Sequence, residues 1–373
     1  MDVLSDVLRV VRLSGAVFFT ADFSSPWALE SPKPESLASI GMPDAECVVL
    51  FHMLVDGECE VACQGHPVMT MEGGDVVVFP RGDQHTMRSH GAATTTPLNS
   101  VFSPGRYDQL PQLSFGGGGR ASRFVCGYLN CDQRFSPLVE ALPTMLLVRS
   151  RDDYSAIEAV DTTGSRPTVV PQGSGTWLGT TLKFTINEAT AARPGNAAML
   201  GRLTELMFVE ILREYMHRLP ASQGGWLAGL NDEYVGKALR LLHASPVRDW
   251  TVDELAREVA VSRSVLAQRF TELVGEAPMR YLATWRMQLA KQMMREGARN
   301  IQDVATRVGY DSEAAFNRAF KRATGSPPAT WRKGALRASV LVGVTLAGPW
   351  SELVGTLLRL TADLATATAT LVS

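Results

Sequence analysis

The spacing of apolar residues changes period along the chain. Residues 14–105 carry short β-branched and aromatic runs, GAVFF, CVVLFHMLV, CEVAC and DVVVFP, broken by Gly, Pro and Asp. Such runs predict an antiparallel β domain. Ahead of them MDVLSDVLRVVRL mixes Asp and Arg into its apolar positions, which predicts an amphipathic helix leading into a strand and not a secretion signal. Beyond residue 194 the period lengthens: Leu200, Leu203, Leu206, Met207, Ile211 and Leu212 recur at helical spacing. That stripe either covers the β domain or forms a surface on which two copies dimerise.

In residues 250–332 one arrangement is written twice. Leu255, Ala256, Val259, Ala260, Val261, Ser262, Leu266, Phe270, Gly275 and Pro278 are answered by Val304, Ala305, Val308, Gly309, Tyr310, Asp311, Phe316, Phe320, Gly325 and Pro328. The offset is 49 residues from Ala256 to Ala305 and 50 from Phe270 to Phe320, so the second copy has one extra residue after its turn. Each copy predicts helix, tight turn, helix. A small Ala lets the helices approach, Ala260 or Gly309 completes the turn where φ must be positive, and Ser262 and Asp311 stand where an N-cap is wanted. Leu266 with Phe270, and Phe316 with Phe320, bury one face of each second helix.

Facing outward are Arg263, Ser264, Gln268 and Arg269 in the first copy, and Ser312, Glu313, Asn317, Arg318 and Lys321 in the second. Arg, Gln and Asn on such a helix can read base edges in a major groove. Between the copies Met279–Arg295 contains neither Gly nor Pro. It predicts a helix of about 17 residues, roughly 25 Å long, able to set two recognition helices about one DNA turn apart.

Charge sharpens this picture. Residues 231–333 hold 17 Lys and Arg against 12 Asp and Glu, while the whole chain carries a net −2. Positive charge is therefore concentrated where DNA would bind. At 373 residues, 45% hydrophobic and 20% charged, the chain is long enough for two globular cores and a tail. Five cysteines without metal spacing argue against a secreted disulfide framework, so the expected location is the cytoplasm. No nucleophile with its base and no nucleotide loop stands out, which disfavours an enzyme.

The repeat resembles the two-motif DNA-binding domain of the AraC/XylS family of transcription regulators over roughly residues 232–332. The resemblance is carried by WTVDELAREVAVSRSVLAQRF, PMRYLATWRMQLA and VGYDSEAAFNRAFKRATGSPPATWR. It implies promoter DNA and RNA polymerase as partners, and activation as the usual mode. It places base contacts at Ser264, Ala267 and Gln268, and at Glu313, Ala314, Asn317 and Arg318, although neither Ala can hydrogen-bond through its side chain. Gln268 and Arg318 are the strongest of these. Ser262 and Ser312 lie at the helix starts, while Arg263, Arg269, Lys321 and Arg322 suit phosphate.

The β domain resembles a cupin. Gly74 to His85 fits G-x5-P-x-G-x2-H, the second cupin motif, and His52, Glu58 and Gly65 fit the first, except that Leu54 replaces its second histidine. Ser89 replaces the Asn that often closes the second motif. The resemblance implies an effector pocket at His52, Glu58 and His85, with no cofactor and an unidentified small molecule as ligand. The same three residues could hold a divalent metal, and a metal-dependent cupin enzyme fused to a DNA-binding domain is the alternative. For His85 a plainer role is to close its strand after the Pro80–Gly82 turn by bonding a nearby carbonyl. The segments 124–148 and 194–219 are similar to the cupin-containing subfamily of these regulators.

Cys59 and Cys63 share one strand face, Cys126 sits in an apolar strand and Cys131 between Asn130 and Asp132, which raises a redox signal as a further input. The expected fold is thus α+β: a cupin-like antiparallel barrel with helices in 1–220, a linker at 221–231, an all-α domain with two helix-turn-helix motifs and a linker helix in 232–333, and a tail in 334–373. Trp226–Leu230 should dock near the DNA domain, and Phe115–Arg120, with its four glycines, reads as a flexible connection. The apolar stretch 338–348 of the tail is too short to span a bilayer, so no membrane partner is expected.

Overall fold

The computed structural model describes residues 2–11, 13–34, 36, 47–92, 94–102, 111–131, 137–150, 155–160, 176–191, 193–219, 225–298 and 300–334. The tail beyond Gly334 and the side chain of Cys131 lie outside the described residues. Contacts group the chain into two compact units, Met1–Leu241 with Val252–Pro278, and Leu242–Thr251 with the residues from Met279 onward. This division runs through the segment 232–333, between the two copies of the repeat.

The first unit opens with α1 (Val3–Val11), followed by β1 (Leu13–Ser24), β2 (Ala28–Glu30), β3 (Cys47–Asp56), β4 (Glu58–Cys63), β5 (Met69–Glu72), β6 (Val76–Phe79), β7 (His85–Arg88) and β8 (Thr96–Pro97). Next come α2 (Leu98–Val101), β9 (Gln112–Gly116), β10 (Ala121–Cys131), α3 (Pro137–Glu140), β11 (Met145–Ser150), β12 (Ser155–Val160), α4 (Thr176–Thr190) and α5 (Asn196–Arg218). The helical part comprises α6 (Trp226–Asn231), α7 (Glu233–Ala244), α8 (Val252–Glu258), α9 (Arg263–Val274), α10 (Pro278–Arg295), α11 (Ile301–Arg307) and α12 (Glu313–Thr324).

Two sheets face each other, a seven-stranded one in the order β12-β11-β6-β3-β10-β1-β9 and a five-stranded one in the order β5-β4-β7-β2-β8. They are not closed into a barrel, and the β1–β9 and β2–β8 pairs are parallel, so the sheet region is cupin-like without being wholly antiparallel. It also runs on to Val160, well past the β-rich runs visible in the sequence, because β11 and β12 extend the larger sheet beside β6. Alternation decides which side chains enter the core. In β4, Cys59, Val61 and Cys63 point inward while Glu58 is exposed.

The amphipathic start forms as the pattern requires. The Asp2 carboxylate accepts the Ser5 amide at 2.9 Å, and Val3, Val7 and Val10 bury one face of α1. The stripe on α5 divides in two: Leu200, Met207, Ile211 and Leu212 are buried on the sheet unit, whereas Leu206 is 53% exposed. Most of the stripe therefore covers the sheet unit. In α6, Trp226 and Leu227 are buried, and Gly229 lies against Leu273 and Val274 of α9, as expected for a segment docking near the DNA-binding helices.

The tetraglycine is not a flexible connection. Since β9 and β10 flank β1, Gly116–Gly119 must cross the end of that strand, and the amides of Gly117 and Gly119 donate to the carbonyls of Ser24 and Ser25 at 2.8 Å each. A Cβ on Gly116 would fall 1.8 Å from the Ser24 carbonyl oxygen. Glycine is there for close backbone approach.

Candidate nucleic-acid interface and the sheet interior

The two copies of the repeat build the same turn from different residues. The amide of Val261 donates to the Ala256 carbonyl at 3.1 Å, and that of Tyr310 to the Ala305 carbonyl at 2.9 Å. The left-handed residue is Ala260 (φ 61°) in one copy and Gly309 (φ 82°) in the other. Ser262 caps α9 by accepting the Val265 amide at 3.3 Å, and Ser312 caps α12 by accepting the Ala315 amide at 3.2 Å. The cap of the second recognition helix is therefore Ser312 and not Asp311. Asp311 is the extra residue, which lengthens the turn by one and pushes the capping position along. Both helices end on a left-handed glycine, Gly275 and Gly325.

Buried Leu266 and Phe270, and Phe316 and Phe320, aim the opposite faces outward, leaving Arg263, Ser264, Gln268, Arg269, Glu313, Arg318, Lys321 and Arg322 exposed and Asn317 half-buried. The two faces differ in how their polar groups are engaged. On α9, Arg269 chelates one oxygen of Asp232, Arg263 lies 3.5 Å from Asp253, and Gln268 donates to Glu272 at 2.8 Å. On α12, Arg318 and Lys321 have no hydrogen-bond or ion-pair partner among the described residues. The Glu313 amide is held by the Gln302 side chain at 3.0 Å.

A residue that sequence reasoning missed organises the second unit. Arg286 of α10 donates Nε to the Pro246 carbonyl at 2.7 Å, Nη2 to the Arg248 carbonyl at 2.9 Å and Nη1 to the Gly309 carbonyl at 3.2 Å. One guanidinium thereby ties the loop before Trp250 to the turn that precedes α12. Its only trace in the sequence is a cation within an apolar helix stripe. Nearby His243 bonds the Tyr281 hydroxyl at 2.8 Å and stacks on Trp285, and burial pushes its pKa down to about 3.

In the first unit the sheets bring together two of the three expected pocket residues. His52 on β3 and His85 on β7 meet Nε2 to Nε2 at 2.8 Å, both buried, while the Cys126 thiol on β10 lies 2.9 Å from His52 Nδ1. His85 Nδ1 is 2.8 Å from the Asp83 carbonyl, so the carbonyl bond foreseen for this residue is present as well. That carbonyl can only accept, which fixes the protons along the line. His85 carries its proton on Nδ1, His52 donates from Nε2 to His85 Nε2, and Cys126 donates its S–H to His52 Nδ1. Both imidazoles are then neutral. Burial pushes both pKa values down, His85 to about 4, and at His52 the neighbouring His85 adds to the effect. Phe79 stacks on His85 with ring centroids 3.7 Å apart.

Glu58 does not join them. Because its neighbour Cys59 faces inward, Glu58 faces outward and pairs with Arg120 at 2.7 Å. Leu54, where a cupin would place another histidine, is packed in the core. The two histidines spend their facing nitrogens on each other, and among the described residues no group of three or more ligating side chains is assembled. These residues do not fit a cupin metal centre.

Comparison with known proteins agrees with this two-part plan. Residues 2–163 and 166–217 match the cupin family, and residues 255–334 match a helix-turn-helix domain. The chain is 31% identical over 337 residues to a putative AraC-like transcription regulator of Streptomyces lividans, covering 89% of this chain and 98% of that one. It is 26% identical over 335 residues to the transcriptional regulator AlkR of Acinetobacter baylyi, covering 89% and 99%. Among solved structures, the DNA-binding domain of the global transcriptional factor AdpA with a target DNA is 30% identical over 29% of this chain and 96% of that one, with a TM-score of 0.27. A chain with a cupin-type sheet region and two helix-turn-helix motifs is by class a DNA-binding transcription regulator. It belongs to the AraC-like family. No helix among the described residues is long and apolar enough to cross a membrane.

Proposed function

We propose that this regulator activates transcription in the cytoplasm, binding promoter DNA through α9 and α12 and recruiting RNA polymerase, under control of a small molecule or oxidant sensed between the two sheets. The observation that carries the sensing role is the buried line Cys126, His52, His85 set among the apolar residues of the core. A stability argument alone would fill those positions with hydrocarbon, since buried polar groups cost free energy unless every one is paired. Arg318 and Asn317 of α12, and Gln268 and Ser264 of α9, are assigned to bases. Arg263, Lys321 and Arg322 are assigned to phosphate.

The partner on the outer face of α4 and α5 is assigned to a second copy of the chain. Trp177, Phe184, Met199 and Leu206 are all exposed there, at spacings of seven residues along each helix. An antiparallel α5 pair centred on Leu206 would set Arg202 of one copy opposite Glu210 of the other, twice over. The test is a reporter driven by a bound promoter, with the protein present or absent and with candidate ligands added. Activity that rises with the protein and changes with ligand supports the reading. Activity indifferent to both would remove it.

A further inference from the structure

The polar line between the sheets ends in a nucleophile. Cys126 and His52 are direct cross-strand partners on β10 and β3, and the same inward row continues through Phe19 on β1 and Val77 on β6. The thiol stands 2.9 Å from His52 Nδ1, and His52 is in turn oriented by His85, which the Asp83 carbonyl and Ser31 hold. A nucleophile within hydrogen-bond reach of a base that a third group orients is the arrangement that activates thiols. The other two described thiols of this core lack it. Cys63 donates to the Gln84 carbonyl, which cannot take up a proton, and Cys59 has no hydrogen-bond partner among the described residues.

We infer that Cys126 is a covalent acceptor for small uncharged carbon electrophiles of the α,β-unsaturated carbonyl class, with His52 as its base. This rests on reading the sheet interior as the sensor. The step balances without a co-reactant. The Sγ–carbon bond forms as the carbon–carbon π bond breaks, the thiol proton passes to His52 Nδ1, and His52 then delivers it to the α-carbon. Nothing is oxidised or reduced. The ligand class follows from the walls: Phe19 and Val77 at the ends of the row, with Phe79 and Phe124 of the same core cluster, are hydrocarbon, and a charged electrophile would have to leave water unpaired.

Burial pushes the Cys126 thiol pKa up and the His52 pKa down, so neither a thiolate nor an imidazolium stands there at rest, and the proton passes to His52 only as the new bond forms. An adduct removes the S–H donor and crowds His52. The His52–His85 bond joins the two sheets, so a change at sulfur reaches both.

The test treats the full-length protein under native conditions with N-ethylmaleimide and with 2-cyclohexen-1-one, following each cysteine by peptide mass spectrometry and promoter affinity in parallel. Cys126 should react faster than Cys59 and Cys63, and His52→Gln should slow Cys126 by about 100-fold while leaving the other two unchanged. If that variant fails to fold, the ranking of the three thiols in the parent protein decides. Cys126 reacting no faster than Cys59, or a folded His52→Gln protein labelled at the parent rate, would overturn the site. Labelling through His52 with unchanged promoter affinity keeps the covalent site and overturns the sensor reading. A response of promoter affinity that survives in Cys126→Ser keeps the sensor reading and overturns the covalent site.

Discussion

Asp232 and Arg269 lock the first recognition helix to the start of α7. One carboxylate oxygen of Asp232 sits 2.6 Å from Nη2 and 2.7 Å from Nε of Arg269, while the other accepts the amides of Tyr234 and Val235 at 3.0 and 2.9 Å. Burial tends to raise the Asp232 pKa, but the guanidinium and the two amides outweigh it and hold the carboxyl below its usual range. Asp232→Ala should therefore lower the thermal midpoint more than Arg269→Ala, because it also removes a helix cap, by itself about 1 kcal/mol. Since the folded pKa is depressed, this stabilisation is present above the ordinary carboxylate pKa of about 3.9 and lost as pH falls below it. Equal midpoints for the two variants would show that the cap contributes nothing.

Arg318 projects from α12 with no hydrogen-bond or ion-pair partner among the described residues to give up. Arg318→Ala should weaken promoter binding by roughly 1–3 kcal/mol and relax discrimination at one base pair. Titrations against fragments substituted at each position check this. A uniform loss across all fragments would reassign the residue to phosphate.

Acid should loosen the sheet unit well before carboxylates titrate. His85 is held neutral with its pKa at about 4, against about 6.5 for an unfolded histidine. A depressed folded pKa means the stabilisation is complete above pH about 6.5 and is lost as pH falls toward 4, on the order of 3 kcal/mol for this residue. His52 and, in the second unit, His243 act in the same direction. Chemical denaturation at pH 7.5 and 5 should show the loss, and His85→Gln should flatten it. A slope unchanged in that variant would point to the other histidines.

The two left-handed turn positions respond in opposite ways to exchange. A Cβ on Gly309 would fall 2.9 Å from the Val247 carbonyl and 3.0 Å from the Arg286 guanidinium, at φ 82°. Gly309→Ala should cost more than about 1 kcal/mol. At Ala260 the strain is already present, so Ala260→Gly should be neutral or stabilising by up to about 1 kcal/mol, relief of strain being offset by backbone entropy. Unfolding measurements on both variants settle it, and a destabilised Ala260→Gly would refute the strain argument.

Much of this was legible in the sequence because it depends on local rules. The turn residues, the Leu266/Phe270 and Phe316/Phe320 pairs, the linker helix and the amphipathic start all follow from spacing and capping chemistry. The misplaced cap shows the limit: Asp311 and Ser312 are both good caps, and only the backbone path chooses. The outward position of Glu58 is not legible in the sequence, because motif spacing says nothing about which face of β4 turns inward. The role of the tetraglycine is hidden from the sequence because its crossing over β1 depends on strand order, a non-local property. For the same reason the Cys126–His52 pairing, 74 residues apart, and the Arg286 clamp were invisible.

Two unlike recognition helices, α9 and α12, serve DNA reading in one chain. Nuclease footprinting of the full-length protein on promoter fragments, followed by base-by-base substitution of the protected region, tests it most directly. Two dissimilar half-sites about one helical turn apart are expected, only one of which loses discrimination in Arg318→Ala. Two identical half-sites in inverted repeat within one monomer's footprint, or protection without sequence preference, would contradict it.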